Sequence, residues 1–146
     1  MGVMTMSKQE REAFLADARV GVLAVAAADG GAPSLTPIWY TYEPGGDIVM
    51  DTAGASPKVA LLRAAGRASL CVQTEAPPYK YVVVEGTVAI TDAPDETWRR
   101  DLARRYLGDD LGDMYTDATK EQASGAVTIR LTPTRWHTTD FAKQWS

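Results

Sequence analysis

Short stretches of alternating apolar and polar residues recur along this chain, and they predict about six β-strands. The clearest stretch is 81–92, in which Val82, Val84 and Ile90 share one face of the strand. Gly86 falls on the same face, where a glycine predicts a bend or a bulge. The other strands are expected at 20–27, 33–42, 47–52, 67–74 and 126–132.

Turn-forming and helix-capping residues separate these strands. Asp29-Gly30-Gly31 provides the positive-φ positions of a hairpin, and 43–46 turns the chain into the third strand. Ser7 and Asp95 are residues whose side chains can cap the start of a helix, so a helix is expected after each. A further helix is expected from Ser56 to Gly66. Two later segments are expected to be a polar connection and a short helix, 108–116 and 117–123 respectively.

The order of these elements predicts an antiparallel barrel. Hairpins join most of the strands, and the helices are inserted between strands instead of alternating with them as in a doubly wound sheet. No repeat or linker divides the sequence, so a single domain is expected over 1–146. The expected fold class is therefore mainly β, of the α+β kind.

Composition and charge argue against several classes of protein. Of 146 residues, 45% are hydrophobic and 23% are charged, which is typical of a globular domain. The net charge of −4, without a run of Lys or Arg, argues against nucleic acid as a partner. No run approaches the roughly 20 apolar residues of a membrane helix. Residues 1–6 lack a basic segment followed by an apolar one, so a cytoplasmic location away from membranes is expected.

Nucleophilic and metal chemistry find little support in the residues. Cys71 lies in an apolar run, 68–72, and is expected to be buried as a small hydrophobe. His137 is the only histidine, and no G-x-S-x-G motif accompanies it. One histidine and one buried cysteine make a poor metal site, so no metal is expected. If the protein is an enzyme, a cofactor supplies the chemistry.

The segment 51–58, Asp-Thr-Ala-Gly-Ala-Ser-Pro-Lys, is the most informative part of the sequence. Ser56 is a preferred N-cap, and Pro57 is a preferred first residue of a helix. Lys58 then stands in the first turn, where the helix dipole opposes a cation unless an anion is bound. A phosphate held by Thr52, Ser56, Lys58 and the free amides would remove the conflict. A capped surface helix with a solvated lysine explains the same residues equally well.

A planar ring system could lie against Pro37-Ile38-Trp39-Tyr40, in the second predicted strand, where backbone and aromatic edges are available. Core packing is the alternative for Trp39 and Tyr40, and the residues alone favour it. Arg63 and Arg67 could add positive charge for a polyanionic tail, although exposed arginines are usually solvated. The residues by themselves leave the place of a ring open.

Further segments complete a recognisable order along the chain. They are Val20-Gly21-Val22-Leu23-Ala24 before Asp29-Gly30, Ser34 through Tyr40, Arg67-Ala68-Ser69-Leu70, Val84-Glu85-Gly86-Thr87-Val88, and Arg130-Leu131-Thr132-Pro133. With 52–58 between them, the chain resembles the pyridoxamine-phosphate-oxidase-like split β-barrel superfamily, particularly its actinobacterial flavin/deazaflavin-dependent oxidoreductases. The match spans nearly the whole chain. It implies a six-stranded antiparallel split β-barrel with short flanking helices.

The resemblance implies a cofactor site shared between two subunits. Family members bind the cofactor phosphate at the positions matched here by Thr52, Ser56 and Lys58, and they place its ring along Thr36 to Tyr40. The segment Tyr79-Lys80-Tyr81 of the partner subunit would complete the site. A homodimer with two interfacial sites is therefore implied.

Two departures from the family's pattern narrow the implied function. Flavin-mononucleotide oxidases often have Arg directly before the Lys, whereas this chain has Pro57, and a Pro-Lys helix start resembles binders of the deazaflavin coenzyme F420. The substrate-phosphate residues of a true pyridoxamine-phosphate oxidase are also missing, since Arg130-Leu131 echoes them only superficially. The implied activity is an F420-dependent reductase that passes hydride to a small conjugated or unsaturated substrate, with Tyr81 as a candidate proton donor. An FMN-dependent oxidase or reductase and a non-catalytic binding protein are the alternatives.

Overall fold

The computed structural model describes residues 4–145, so the expectation drawn from residues 1–6 falls partly outside them. The helices are α1 (Lys8–Ala16), α2 (Pro57–Ala65), α3 (Glu96–Leu107), α4 (Asp109–Ala118) and α5 (Lys120–Ala123), and a final 3₁₀-helix covers Phe141–Trp145. The strands are β1 (Gly21–Val25), β2 (Ser34–Ile38), β3 (Thr41–Tyr42), β4 (Ile48–Ala53), β5 (Arg67–Gln73), β6 (Lys80–Thr91) and β7 (Ala126–Asp140).

These strands form one sheet in the order β2-β1-β5-β6-β7-β4-β3, and every neighbouring pair is antiparallel. The two edge strands, β2 and β3, follow each other in the chain with only Trp39 and Tyr40 between them. Two residues span only about 10 Å, so the sheet has to curl until its two edges nearly meet. The expected split β-barrel is confirmed, with seven strands instead of six because 33–42 breaks into two.

Tyr40 explains why the strand breaks at this point. Its ring is completely buried, and its hydroxyl donates a hydrogen bond of 2.7 Å to the carbonyl of Leu15 at the end of α1. Its backbone amide donates to the hydroxyl of Tyr106 on α3 at 3.2 Å, which replaces a ladder hydrogen bond. The chain therefore leaves β2, anchors Tyr40 in the core and re-enters the sheet as β3.

The core fills the inside of the curled sheet. Alternate residues of the strands point inward, and helices α1 and α2 add Leu15 and Leu62, which are fully buried. Full burial of such side chains contributes roughly 1.5–3 kcal/mol each, so this interior supplies most of the stabilisation. The fully buried large strand residues are Leu23, Ile48, Met50, Leu70, Val72, Val82, Val84, Ile129 and Leu131.

The bulge that Gly86 predicts is present in the two longest strands. The β6–β7 register shifts between Glu85 and Gly86, and a Cβ atom at Gly86 would collide with the carbonyl oxygen of Thr132. Pro133, which has no N–H to donate, pairs with Gly86 at this place. Strand β7 therefore continues past its predicted end at 132 to Asp140.

The expectation of a polar connection over 108–116 is wrong, because this segment is most of helix α4. Gly112 allows α4 to approach α3 closely, since a Cβ there would lie 2.7 Å from the Cα of Arg104. The predicted helix over 117–123 is accordingly the end of α4 followed by the short α5. Helices α3, α4 and α5 together form an insertion between β6 and β7.

Candidate active site

A cavity of about 560 Å³ lies where β2 and β4 separate, beneath the inserted helices. Residues of β2, β4 and the start of α2 form one side of it, and residues of α3, α4 and α5 form the other. Its lining comprises Val20, Thr36, Pro37, Ile38, Trp39, Asp51, Thr52, Ala53, Lys58, Arg99, Leu102, Ala103, Tyr115, Thr116, Thr119, Gln122, Ala123 and Ala126. The volume is within the range of small-molecule sites.

The first turn of α2 forms one corner of this cavity. Ser56 is the N-cap with extended backbone, but its hydroxyl accepts a hydrogen bond of 2.9 Å from Lys58 Nζ and makes none to the helix amides. Pro57 occupies the first helical position and has no N–H of its own. The amides of Ser56 and Val59 donate to the carbonyls of Ala53 and Ser56, each at 3.0 Å. The Lys58 amide has no partner among the described residues, so it remains available to an external acceptor.

The charge of Lys58 fits an anion in the same corner. Burial lowers the pKa of its ammonium, because desolvation penalises the charged form and no carboxylate is paired with it among residues 4–145. The hydroxyls of Ser56 and Thr52, the Lys58 amide and the Lys58 ammonium are groups of the kinds that bind phosphate in proteins. These residues fit the phosphate of a cofactor.

Trp39 forms an aromatic wall of the cavity. Its ring stacks on Tyr106 with 4.9 Å between centroids and 5° between planes, and Tyr115 of α4 packs against it at 5.5 Å and 54°. Tyr106 is itself held by a hydrogen bond of 2.7 Å from its hydroxyl to the carbonyl of Arg19. The orientation of Trp39 is therefore fixed before any ligand binds.

Two charged side chains enter the cavity from opposite sides. Arg99 of α3 donates from Nη2 to the Thr119 hydroxyl at 2.9 Å and to the carbonyl of Thr116 at 3.3 Å. Asp51 projects from β4, and burial raises the pKa of its carboxyl while Arg99 lowers it by a smaller amount. The cavity thus combines apolar walls with a few polar groups, which is the usual character of a ligand site.

An ionic clamp, defined as Arg100 and Arg104 of α3 with Asp113 and Asp117 of α4, holds the two helices together. Asp113 accepts from Arg100 at 2.9 Å and from Arg104 at 2.8 Å, and Arg100 also pairs with Asp117 at 2.9 Å. These charged hydrogen bonds lower the pKa of Asp113 to about 2. Since α4 carries Tyr115 and Thr116, the clamp also sets the shape of the cavity wall.

We expect the clamp to weaken in acid. A carboxyl whose pKa falls on folding stabilises the protein above its unfolded value and loses that contribution as pH falls towards its folded value. For Asp113 the window runs from 3.8 down to about 2. The urea midpoint of Asp113→Asn should therefore fall less steeply across this window than that of the wild type. Asp110→Asn, on the exposed side of α4, is the control, and equal slopes for all three proteins would contradict the prediction.

The structure brings together part of the predicted site. The predicted residues that line the cavity are Thr36, Pro37, Ile38, Trp39, Thr52 and Lys58. Ser56 contacts Lys58, and Pro57 begins the same helix. Tyr40 lies in the core and does not line the cavity, and Arg63 is exposed on the last turn of α2.

The segment Tyr79-Lys80-Tyr81 also lies outside the cavity of its own subunit. Tyr79 is half exposed just before β6, and Lys80 lies 4.0 Å from the carboxylate of Asp140. Tyr81 pairs with Gln73 at the same end of the sheet as the end of β2. Their predicted role therefore depends on a second copy of the chain.

Sequence reasoning missed the helical side of the cavity. Arg99, Tyr115, Thr116 and Thr119 reach it only because α4 folds back on α3. Asp51 was within the informative segment, but its neighbours gave no sign that its carboxyl enters the cavity. The sequence offered no separate signal for the helical hairpin, because Gly108 and Gly112 among acidic residues are also typical of a loop.

A second hollow, of about 900 Å³, lies on the outer face of β2, β1, β5 and β6. This apolar outer face, defined as Val22, Ala24, Leu35, Cys71 and Val83, includes Leu35 at 65% exposure. Cys71 was predicted to be buried, but it is half buried on this outer face. Its strand neighbours Leu70 and Val72 point into the core, so Cys71 between them points outward. None of the helices within residues 4–145 is long and apolar enough to cross a membrane.

The curled sheet, its break at Trp39 and Tyr40 and the cavity at the split define the class of split β-barrel proteins. A sequence model described as pyridoxamine 5'-phosphate oxidase matches residues 7–140. The chain therefore belongs to this family, which is a flavin-type oxidoreductase family. No curated protein sequence matches the chain.

Solved structures share the fold across nearly the whole chain. A conserved hypothetical protein of Mycobacterium tuberculosis is 24% identical with a TM-score of 0.79, covering 100% of this chain and 92% of that one. An F420 reductase is 22% identical with a TM-score of 0.71, covering 86% and 94%. A FAD-binding protein from Mesorhizobium loti is 23% identical with a TM-score of 0.65, covering 92% and 94%. At such identities these likenesses establish the fold alone.

Proposed function

We propose that this chain is a cytoplasmic, homodimeric, F420-dependent reductase that transfers hydride from reduced deazaflavin to a small conjugated or unsaturated substrate. The observation that carries the proposal is the cavity in which Lys58, the uncapped turn of α2 and the fixed ring of Trp39 occur together. An anion corner beside a flat aromatic and aliphatic wall suits a molecule with a phosphate at one end and a planar ring at the other.

The residues of the chain have distinct roles in this proposal. Lys58 turns its ammonium from Ser56 to the phosphate, while the Thr52 hydroxyl and the Lys58 amide donate hydrogen bonds to it. The stretch Thr36 to Trp39 supports the ring. The cofactor supplies the hydride when it is bound, and the protein supplies position and exclusion of water.

A second copy of the chain is part of the proposal, supported by the apolar outer face. Val20 and Pro37 line both that hollow and the cavity, so the two regions adjoin. A copy seated on the face would cover Leu35 and Cys71, and it would bring its own Tyr79-Lys80-Tyr81 near the ring. Tyr81 of that second copy is then a candidate proton donor.

FMN is the second candidate cofactor, because the corner at Lys58 recognises a phosphate and both molecules carry one. Pro57 favours F420, since it leaves Lys58 as the single cation on the first turn of α2. A binding protein without turnover would use the same contacts. Titration distinguishes the two cofactors, and oxidation of the bound cofactor distinguishes an enzyme from a binding protein.

The decisive experiment is titration of the purified protein with F420 and with FMN, followed by fluorescence quenching. We expect F420 to bind about tenfold more tightly or better, equivalent to about 1.4 kcal/mol. Bound reduced F420 should then be oxidised by at least one member of a panel of quinones, enones and tetrapyrroles. Tighter FMN binding would overturn the choice of cofactor, and tight F420 binding without oxidation by any panel member would leave a binding protein.

A further inference from the structure

Asp51 is a carboxyl group in the cavity to which neither the fold nor the proposed cofactor contacts give a role. It lies on β4 directly before Thr52, and it lines the same cavity as Lys58 and Trp39. Within residues 4–145, no side chain donates a hydrogen bond to its carboxylate, which is bonded only by its own backbone amide. Burial of a carboxylate without a side-chain partner is costly, so it shifts the group towards its protonated form.

The charged and titratable groups around Asp51 do not pair with it. Arg99 of α3 lowers the pKa of Asp51 through its charge, but its guanidinium is hydrogen bonded to Thr116 and Thr119. Lys58 enters from α2 and is bonded to Ser56, and Tyr115 enters from α4. On β7 the residue opposite Asp51 is the buried Thr128, and Arg130 lies two pairs further along, opposite Val49.

Binding of an anionic cofactor strengthens this preference. Burial already raises the pKa of Asp51, and Arg99 only partly offsets the rise. A phosphate at Lys58 and Thr52 adds a negative charge to the same cavity, and a like charge raises the pKa of a carboxyl further. Cofactor binding should therefore be accompanied by uptake of a proton at Asp51.

We propose that Asp51 is the proton donor of this cavity, protonated when the cofactor is bound and giving its proton to the substrate that accepts the hydride. The proposal rests on the proposed function. Asp51 would donate the proton from the same subunit that binds the cofactor, and Tyr81 of a second copy is the alternative donor.

The step balances in atoms and electrons. Hydride from the reduced deazaflavin forms a C–H bond at one end of a conjugated double bond, and the electron pair of that bond moves to the other end. The Asp51 O–H bond breaks, its proton goes to that end of the substrate, and the carboxylate regains a proton from water. The substrate gains two electrons and two protons in total, and the cofactor loses two electrons and one proton.

The first test measures proton uptake on binding, without turnover. F420 is titrated by calorimetry in two buffers of different ionisation enthalpy, with wild type, Asp51→Asn and the control Asp47→Asn, whose aspartate precedes β4 outside the cavity. Wild type and Asp47→Asn should take up more protons per bound F420 than Asp51→Asn, by up to one. Equal uptake in all three proteins would overturn the proposal. If F420 fails to bind wild type, the proposed function fails instead.

The second test follows turnover of reduced F420 with a quinone or enone that the panel identifies. The kcat of wild type should fall as pH rises through the pKa of Asp51, because the acid form is lost. Asp51→Asn should lower kcat by about 100-fold or more and remove that fall, and Asp51→Glu should restore part of both. An unchanged pH profile in Asp51→Asn, with its loss in Tyr81→Phe, would overturn the proposal in favour of Tyr81.

Discussion

Replacing Tyr40 with alanine should lower the free energy of unfolding by about 3–5 kcal/mol. The ring is fully buried at the point where β2 becomes β3, and Arg105 lies over it at 5.3 Å from the ring centroid. Removing the ring leaves a cavity between α1 and the barrel, and it also removes the hydrogen bond from the Tyr40 hydroxyl to the end of α1. Equilibrium urea denaturation of both proteins measures the difference.

Tyr40→Phe is the matched control, because it keeps the ring and removes only the hydroxyl. The Leu15 carbonyl then loses its 2.7 Å donor, so a smaller loss of about 1–3 kcal/mol is expected. F420 affinity should be unchanged in Tyr40→Phe, since the hydroxyl points to the end of α1. A loss of affinity without a loss of stability would instead support the sequence prediction that Tyr40 contacts the ring.

Lys58→Ala should weaken cofactor binding by about 1–3 kcal/mol, which is roughly 5- to 150-fold in Kd. The ammonium is the only cationic group in the uncapped turn of α2, so its removal leaves the phosphate with uncharged donors. Fluorescence titration of the variant with the same cofactor measures the change. The thermal midpoint without cofactor should stay close to that of the wild type, because Lys58 bonds only Ser56.

Two further substitutions make the Lys58 result specific. Lys120→Ala on α5 makes the same change in net charge at an exposed position that does not line the cavity, so its affinity should match the wild type. Arg63→Ala tests whether a charged tail extends along α2, as the sequence suggested. Equal weakening by Lys58→Ala and Lys120→Ala would reduce the effect to overall charge and remove Lys58 from the site.

Most of the strands and the bounds of α2 could be predicted because their signals are local. Alternation of apolar residues places each strand's inner face, and Ser56, Pro57 and Gly66 mark the ends of α2 within a few residues. The curling of the sheet could not be read in the same way. It depends on Tyr40, whose partners Leu15 and Tyr106 are distant in the chain.

The helical side of the cavity escaped prediction because tertiary contacts decide it. Gly108, Gly112 and the acidic residues of 109–117 are typical of a loop, yet the acids pair with arginines of α3 and Gly112 permits the close approach. Strand β7 likewise runs beyond its predicted end at 132, through Pro133. The proline is tolerated because the bulge at Gly86 places it where no ladder hydrogen bond is required.

The short link between β2 and β3 couples ligand binding to closure of the barrel. The sheet side of the cavity contains residues of both β2 and β4, the neighbour of β3, so a bound molecule would contact both edges of the sheet. Such a molecule would act as a cross-link between two edge strands that no backbone hydrogen bonds pair. Thermal separation of the two edges would then require release of the ligand, so a tightly bound ligand would raise the temperature at which the barrel opens.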